Sequence, residues 1–361
     1  MNEYFLKMTQ ILTQKTLDFR LSLDETLIIK GIAICLMLWH HLFYQHPEYG
    51  SFVFQSALFG KVCVSLFLFV SGYGLTVQYG KVFDKPIMET FRFQMKRFVK
   101  FYANYWVIFL VFVPIGVFVF ERSLNIPYEG SNIIKAIIGD FFGINGLQSY
   151  NITWWFNQLI VSLYFLFPIL YFATKRWPIL FLMGSIILWK FSLPILPTGI
   201  HGWILHFMLG IVYVLYIDKL NHFLNRFNFW FLLSILLLSF SVLFYMRNYH
   251  VIPYFTGTRV DAFLSVNIIL LVLLTIRHIH IIHGTLKFLG KHSMNIYMVH
   301  TFIFLYWFKG LIYSFKYPIV IFTVLLVSSL VISITIEYLK KIIHLPNLIK
   351  TITQRVDKIE I

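Results

Sequence analysis

Apolar runs of about twenty residues recur along the whole chain, and they leave little choice of fold. A helix needs ~20 such residues to cross hydrocarbon, and only helices or closed barrels satisfy their backbone there. The runs lie near 26–47, 58–79, 101–120, 155–174, 178–197, 202–218, 228–246, 259–276, 293–315 and 318–339. Pro194, Pro197 and Gly202 interrupt the fifth and sixth. NIIKAIIGDFFGI, residues 132–144, is too short and too polar to span and reads as an interfacial amphipathic segment. Only 12% of the 361 residues are charged, about half the share in a soluble domain. The expected fold is an all-α integral membrane protein with about ten transmembrane helices. It divides into an N-terminal segment 1–25, a transmembrane domain 26–340 and a tail 341–361.

The net charge of +15 would suit nucleic acid in a soluble chain. Here the positive-inside rule absorbs it. With the N-terminus inside, twenty-one Lys and Arg fall on inside segments and five outside, while Lys30, Lys61, Lys190 and Lys309 fall within helices. Both termini are therefore expected in the cytoplasm, and the protein in the cell membrane as a multi-pass chain. No nucleic-acid partner is expected. No signal peptide is read ahead of the first run. Cys35 and Cys63, the only cysteines, sit in apolar runs and read as packing residues rather than a disulfide. No metal site is expected.

KGIAICLMLWHHLF, residues 30–43, puts a lysine and two adjacent histidines in an otherwise apolar helix. Lys30 and His41 are separated by about three turns plus 20°, so they share one face, roughly 16 Å apart along the axis, while His40 lies about 80° away. Lys30 stands at the inner edge, where snorkelling to headgroups is an alternative role. A membrane histidine can serve simply as a helix-to-helix hydrogen bond. Paired intramembrane histidines point further, because ionisable groups in hydrocarbon are costly and line functional cavities.

This stretch resembles the first motif of the acyltransferase 3 family of bacterial membrane acyltransferases, an Arg or Lys followed ten residues later by a His. The resemblance continues in order. VSLFLFVSGYGLT (64–76) is similar to the family's second-helix stretch, and FRFQMKRFVKFYANYW (91–106) to its basic segment leading into an aromatic third helix. WWFNQLIVSLYFLFPIL (154–170) and LGKHSMNIYMVHTFIF (289–304) resemble its Trp-Phe…Tyr…Pro helix and its Ser…Ile-Tyr-Leu-x-His segment. The chain departs where Ala103 replaces a frequent Pro, where Ser65 replaces a frequent acid, and near Ile160, where some members carry Glu. The fused extracytoplasmic hydrolase-like domain of many members is not expected here.

The resemblance implies transfer of an acyl group, most often acetyl, from cytoplasmic acetyl-CoA to a hydroxyl of a cell-surface glycan or lipid-linked sugar. Lys30, Lys96, Arg97 and Lys100 are the donor-binding candidates. Positions 96 and 100 share a helix face with Arg97 beside it, although a plain positive-inside cluster looks the same. His41, with His40 beside it, is the catalytic candidate, as general base or as acyl-accepting nucleophile. Ser71 and Gly72 read as cavity lining or as a close helix contact. Trp155 and Tyr164 read as sugar-stacking residues or interfacial anchors, and His300 as a packing or donor-site residue. Membrane lipids are the remaining partners, and a homo-oligomer is compatible with the sequence. The competing reading is a transporter or exporter of a glycan or lipid-linked intermediate; a noncatalytic scaffold is a third. The ordered motifs favour the enzyme.

Overall fold

The computed structural model describes residues 17–83, 86–124, 132–188, 202–249, 257–276 and 280–359, and among them the chain is all-helical with no strand. The helices are α1 (Leu23–Phe43), α2 (Ser51–Phe59), α3 (Cys63–Tyr79), α4 (Ile87–Phe118), α5 (Ile133–Phe141), α6 (Trp155–Arg176) and α7 (Pro178–Leu188). They continue as α8 (Ile204–Leu224), α9 (Phe229–Tyr249), α10 (Thr258–Leu274), α11 (His280–Thr301), α12 (Lys309–Ser314), α13 (Pro318–Ile342) and α14 (Leu345–Val356).

Seven stretches among the described residues are long and apolar enough to cross a membrane: Leu23–Phe43, Ser51–Tyr79, Ile87–Phe118, Ile152–Arg176, Ile204–Leu224, Phe229–Asn248 and Pro318–Ile342. The remaining three expected spans differ for separate reasons. The run 178–197 is helical as α7, and its latter part lies outside the described residues. The run 259–276 forms the 17-residue helix α10, slightly short of a full crossing. The run 293–315 belongs to a longer element that begins at His280, changes to a π-helix over Phe302–Trp307, and breaks before α12. Its polar first half stays helical because neighbours receive its side chains. Lys287 Nζ donates to Asp24 Oδ2 at 2.6 Å, and His292 Nδ1 lies 2.9 Å from Ser333 Oγ.

The start of α1 is fixed twice over. Ser22 and Glu25 form a reciprocal capping box, the Glu25 amide reaching Ser22 Oγ and the Ser22 amide donating to Glu25 Oε2 at 2.6 Å. Upstream, the Tyr73 hydroxyl takes the Leu21 amide and returns its proton to the Leu21 carbonyl, and the Tyr213 hydroxyl donates to the Phe19 carbonyl at 2.7 Å. At the other end of the chain, His344 takes a left-handed conformation (φ 52°), turning α13 sharply into the amphipathic α14. That helix docks on α4, where Arg92 Nη2 donates to the Ile359 carbonyl at 2.7 Å and Lys96 pairs with Asp357.

Two pairs of glycines set the closest helix crossings. A Cβ on Gly31 would overlap the Leu286 carbonyl, and one on Gly290 the Leu27 carbonyl. Gly31 and Gly290 thus each pack on the backbone of the other's helix, and His41 meets His300 further along, so α1 and α11 run side by side in the same direction. Gly72 and Gly210 repeat the arrangement between α3 and α8, against the Phe207 and Phe69 carbonyls. Lipid supplies no hydrophobic drive between helices, so small residues that admit backbone contact do this work. One apolar cluster joins α1, α3, α8, α10 and α11, a second joins α4, α6 and α8, and a cavity opens between them. Gly290→Ala should destabilise the protein by about 1–3 kcal/mol through overpacking. Gly284→Ala, at a glycine with open space around it, should be neutral or slightly stabilising. Thermal unfolding in detergent, followed by size-exclusion fluorescence, compares the two.

Candidate active site

The cavity has a volume of about 620 Å³ and is walled by α1, α3, α4, α6 and α11. Lys30, His40, His41, Ser71, Arg97, Trp155 and Tyr164 all line it. Among its described lining residues there are three cations, Lys30, Lys61 and Arg97, and no carboxylate.

One layer surrounds Lys30. Arg97 Nη2 donates to the Tyr164 hydroxyl at 2.9 Å, and its guanidinium lies 4.7 Å from the centre of the Tyr164 ring. Lys30 is within electrostatic reach of both. The antiparallel pairing of α4 with α6 produces this meeting, and the Gln94 side chain reinforces it by donating to the Tyr164 carbonyl at 2.7 Å. Neither Lys30 nor Arg97 forms an ion pair with a described carboxylate. Two neighbouring cations with spare donors suit a phosphate group, and Arg adds a bidentate fork.

The second layer surrounds the histidines. His40 Nδ1 lies 2.7 Å from the Ala57 carbonyl, and its ring stacks on Tyr44 at 4.7 Å. A carbonyl only accepts, so Nδ1 carries the proton. His41 lies between His40 and His300, its ring 5.2 Å and 5.1 Å from theirs. No described residue hydrogen-bonds its imidazole. His300 is fully buried behind it rather than on the cavity wall. The carbonyl of Tyr297, 2.7 Å from His300 Nδ1, fixes that tautomer, leaving Nε2 facing the Thr301 hydroxyl at 3.4 Å. Thr301 continues to Thr153 at 3.0 Å, and Thr153 donates to Asn151 Oδ1 at 2.7 Å. His300 ends just before the π-helix, a distortion common at functional sites.

The other candidates separate. Ser71 faces the cavity, while its neighbour Gly72 makes the close approach to α8. Trp155 packs against Trp203 at 6.0 Å with part of its surface on the cavity, and Tyr164 is buried beneath Arg97. Lys96 turns to Asp357, and Lys100 is exposed; neither lines the cavity. Lys61, Thr153, Asn157 and Tyr297 are among the lining residues to which the sequence assigned no role. Asn157 is 1% exposed and both its side-chain atoms lack a partner. Its only signal was a polar residue inside an apolar run. Ala103, where a Pro was expected from the resemblance, lies within the uninterrupted α4.

Residues 22–338 match the family model described as an acyltransferase domain. The chain belongs to the acyltransferase 3 family. No curated protein and no solved structure matches it. The matched region contains every lining residue of the cavity, whereas α14 lies beyond it. With its apolar helices, the acyltransferase 3 protein is a multi-pass membrane acyltransferase.

In a Cys35→Ser/Cys63→Ser background, Ser71→Cys should react with a small methanethiosulfonate reagent about tenfold faster than Ser65→Cys, because thiol reactivity follows exposure. Ser65 is 0% exposed, one turn and a half away on the same helix. Equal rates, followed by mass spectrometry, would contradict the cavity wall described here.

Proposed function

We propose that the protein transfers an acyl group, acetyl above all, from cytoplasmic acyl-CoA to a hydroxyl of an extracytoplasmic cell-surface carbohydrate or lipid-linked sugar. The observation that carries this reading is one cavity running from the Lys30–Arg97 pair to the His40–His41 pair. The Lys and Arg distribution puts the Lys30 end on the cytoplasmic side. Lys30 and Arg97 receive phosphates of the donor. The slender pantetheine arm then spans the roughly 16 Å to His41, bringing the thioester towards the outer side.

At that level His41 acts as general base. It removes the proton of the acceptor hydroxyl as the oxygen attacks the thioester carbonyl. The carbonyl–sulfur bond breaks, an O-acyl ester forms, and the imidazolium returns its proton to the departing coenzyme A thiolate. His300 supports His41 from behind. Direct transfer requires no separate acyl carrier, since the donor's own arm takes the acetyl group across most of the membrane.

His41→Ala should lower transfer from acetyl-CoA by at least ~100-fold, the usual worth of a general base, with membrane insertion intact. His40→Ala should retain more activity. Lys30→Ala and Arg97→Ala should raise the KM for acetyl-CoA about tenfold, and Lys96→Ala less, because Asp357 already holds that ammonium. An inactive His40→Ala beside an active His41→Ala would reverse the assignment. In sealed vesicles of known orientation, transfer should need donor inside and acceptor outside. Transfer only with both on the cytoplasmic side would overturn the transmembrane route.

A further inference from the structure

Asn157 is the most conspicuous polar side chain the proposed chemistry has not used. It lies on the first turns of α6, is 1% exposed, and lines the cavity. Neither Nδ2 nor Oδ1 has a hydrogen-bond partner among the described residues. Leaving a buried amide unpaired is costly, because its lost hydration is not replaced. Two other buried amides do find partners: Asn151 accepts from Thr153, and Asn295 donates to Glu337 at 2.8 Å. Asn157 therefore has a donor and an acceptor that no described residue takes, on a side chain that borders the cavity.

Its height along the cavity narrows the ligand. Tyr164 marks the Lys30–Arg97 layer, and seven residues of α6 carry the chain about 10 Å from there to Asn157. His41 is roughly 16 Å from Lys30. Asn157 thus stands about 6 Å short of His41, between the phosphate end and the reacting end. A donor lying along the cavity presents at that height the pantetheine amide three bonds from the thioester sulfur. That amide offers its N–H on one edge and its C=O on the other, and Asn157 carries an acceptor that suits the N–H.

We infer that Asn157 is a positioning residue that reads the pantetheine amide next to the thioester, its Oδ1 accepting the amide N–H. This rests on the acyl-CoA reading above. It sets the depth at which the thioester stops beneath His41, and it makes the cavity selective for amide-bearing thioesters over simple alkyl ones. The Trp155 and Phe156 rings in the same wall keep competing water from the amide.

The test uses the purified full-length protein in nanodiscs with two small donors, S-acetyl-N-acetylcysteamine and its oxygen isostere 2-(acetylthio)ethyl acetate, which lacks the N–H. The wild type should prefer the amide donor about tenfold or more in kcat/KM. Asn157→Leu, close to isosteric, should abolish that preference and raise the KM for acetyl-CoA about tenfold, with kcat for acetyl-CoA changed much less. Asn157→Gln should restore part of the preference. The ratio of the two donors within one preparation is independent of how much protein is folded. A wild type without the preference, or a leucine variant that keeps it, overturns the assignment and leaves the acyltransferase reading intact. Where neither small donor turns over, an unchanged KM for acetyl-CoA in Asn157→Leu overturns it equally. A wild type that turns over none of the three donors overturns the proposed function itself.

Discussion

The close backbone approach at Gly31 and Gly290, against the Leu286 and Leu27 carbonyls, is what the rest of the site depends on. It brings the backbones of α1 and α11 together along a parallel path, and from that contact the positions of His41 and His300 follow. Parallel packing keeps the two helices in register for about ten residues more, so the second histidine of α1 arrives against the last turn of α11. Gly72 and Gly210 do the same for α3 and α8. There the consequence lies upstream: Tyr73 and Tyr213 are left side by side to clamp residues 19–21, which in turn fixes where α1 starts and how deep Lys30 sits.

A second ordering principle is the treatment of buried polar groups. Away from the cavity many are paired, although the Ser65 and Ser329 hydroxyls and His206 Nδ1 are not paired with any described residue. Arg247 meets Asp261 at 2.5 Å and the Leu58 carbonyl at 2.7 Å, Lys340 meets Glu337 and Asn295, and His206 meets the Thr258 carbonyl. Along the cavity wall the pattern changes. Among the described residues, Lys30 lacks an ion pair, the His41 imidazole lacks a hydrogen bond, and the Asn157 amide lacks both its partners. Satisfied polar groups hold an all-helical membrane fold together. Unsatisfied ones aligned along one channel mark where a polar ligand supplies what the protein omits.

That contrast also explains what was legible in the sequence. Helix interiors were readable because the apolar runs are long, and the one-face relation of Lys30 and His41 follows from helix geometry alone. The beginnings of α4 and α11 were missed because Arg92, Lys96, Lys287 and His292 look like loop residues until their partners Glu89, Asp357, Asp24 and Ser333 are in place. Lys96 and Arg97 are adjacent cations of equal appearance, yet about 100° of helix rotation separates them. One turns to α14 and the other to the cavity. Asn157 carries no pattern at all; only burial without a partner sets it apart.

The composition of the cavity bears on which residue moves the proton in the proposed reaction. No carboxylate lines it among the described residues. Imidazole is the side chain whose ordinary chemistry suits a general base near neutral pH, and the wall carries two. His40 and His41 are what remains. His40 spends Nδ1 on the Ala57 carbonyl and its ring face on Tyr44, so it is held in one orientation at the edge of the site. His41 spends neither nitrogen on a described residue and is backed by a histidine whose tautomer is fixed. A base that is still free to meet the acceptor, at the far end of a cationic channel that favours both the anionic donor and the departing thiolate, is the arrangement acyl transfer to a hydroxyl requires.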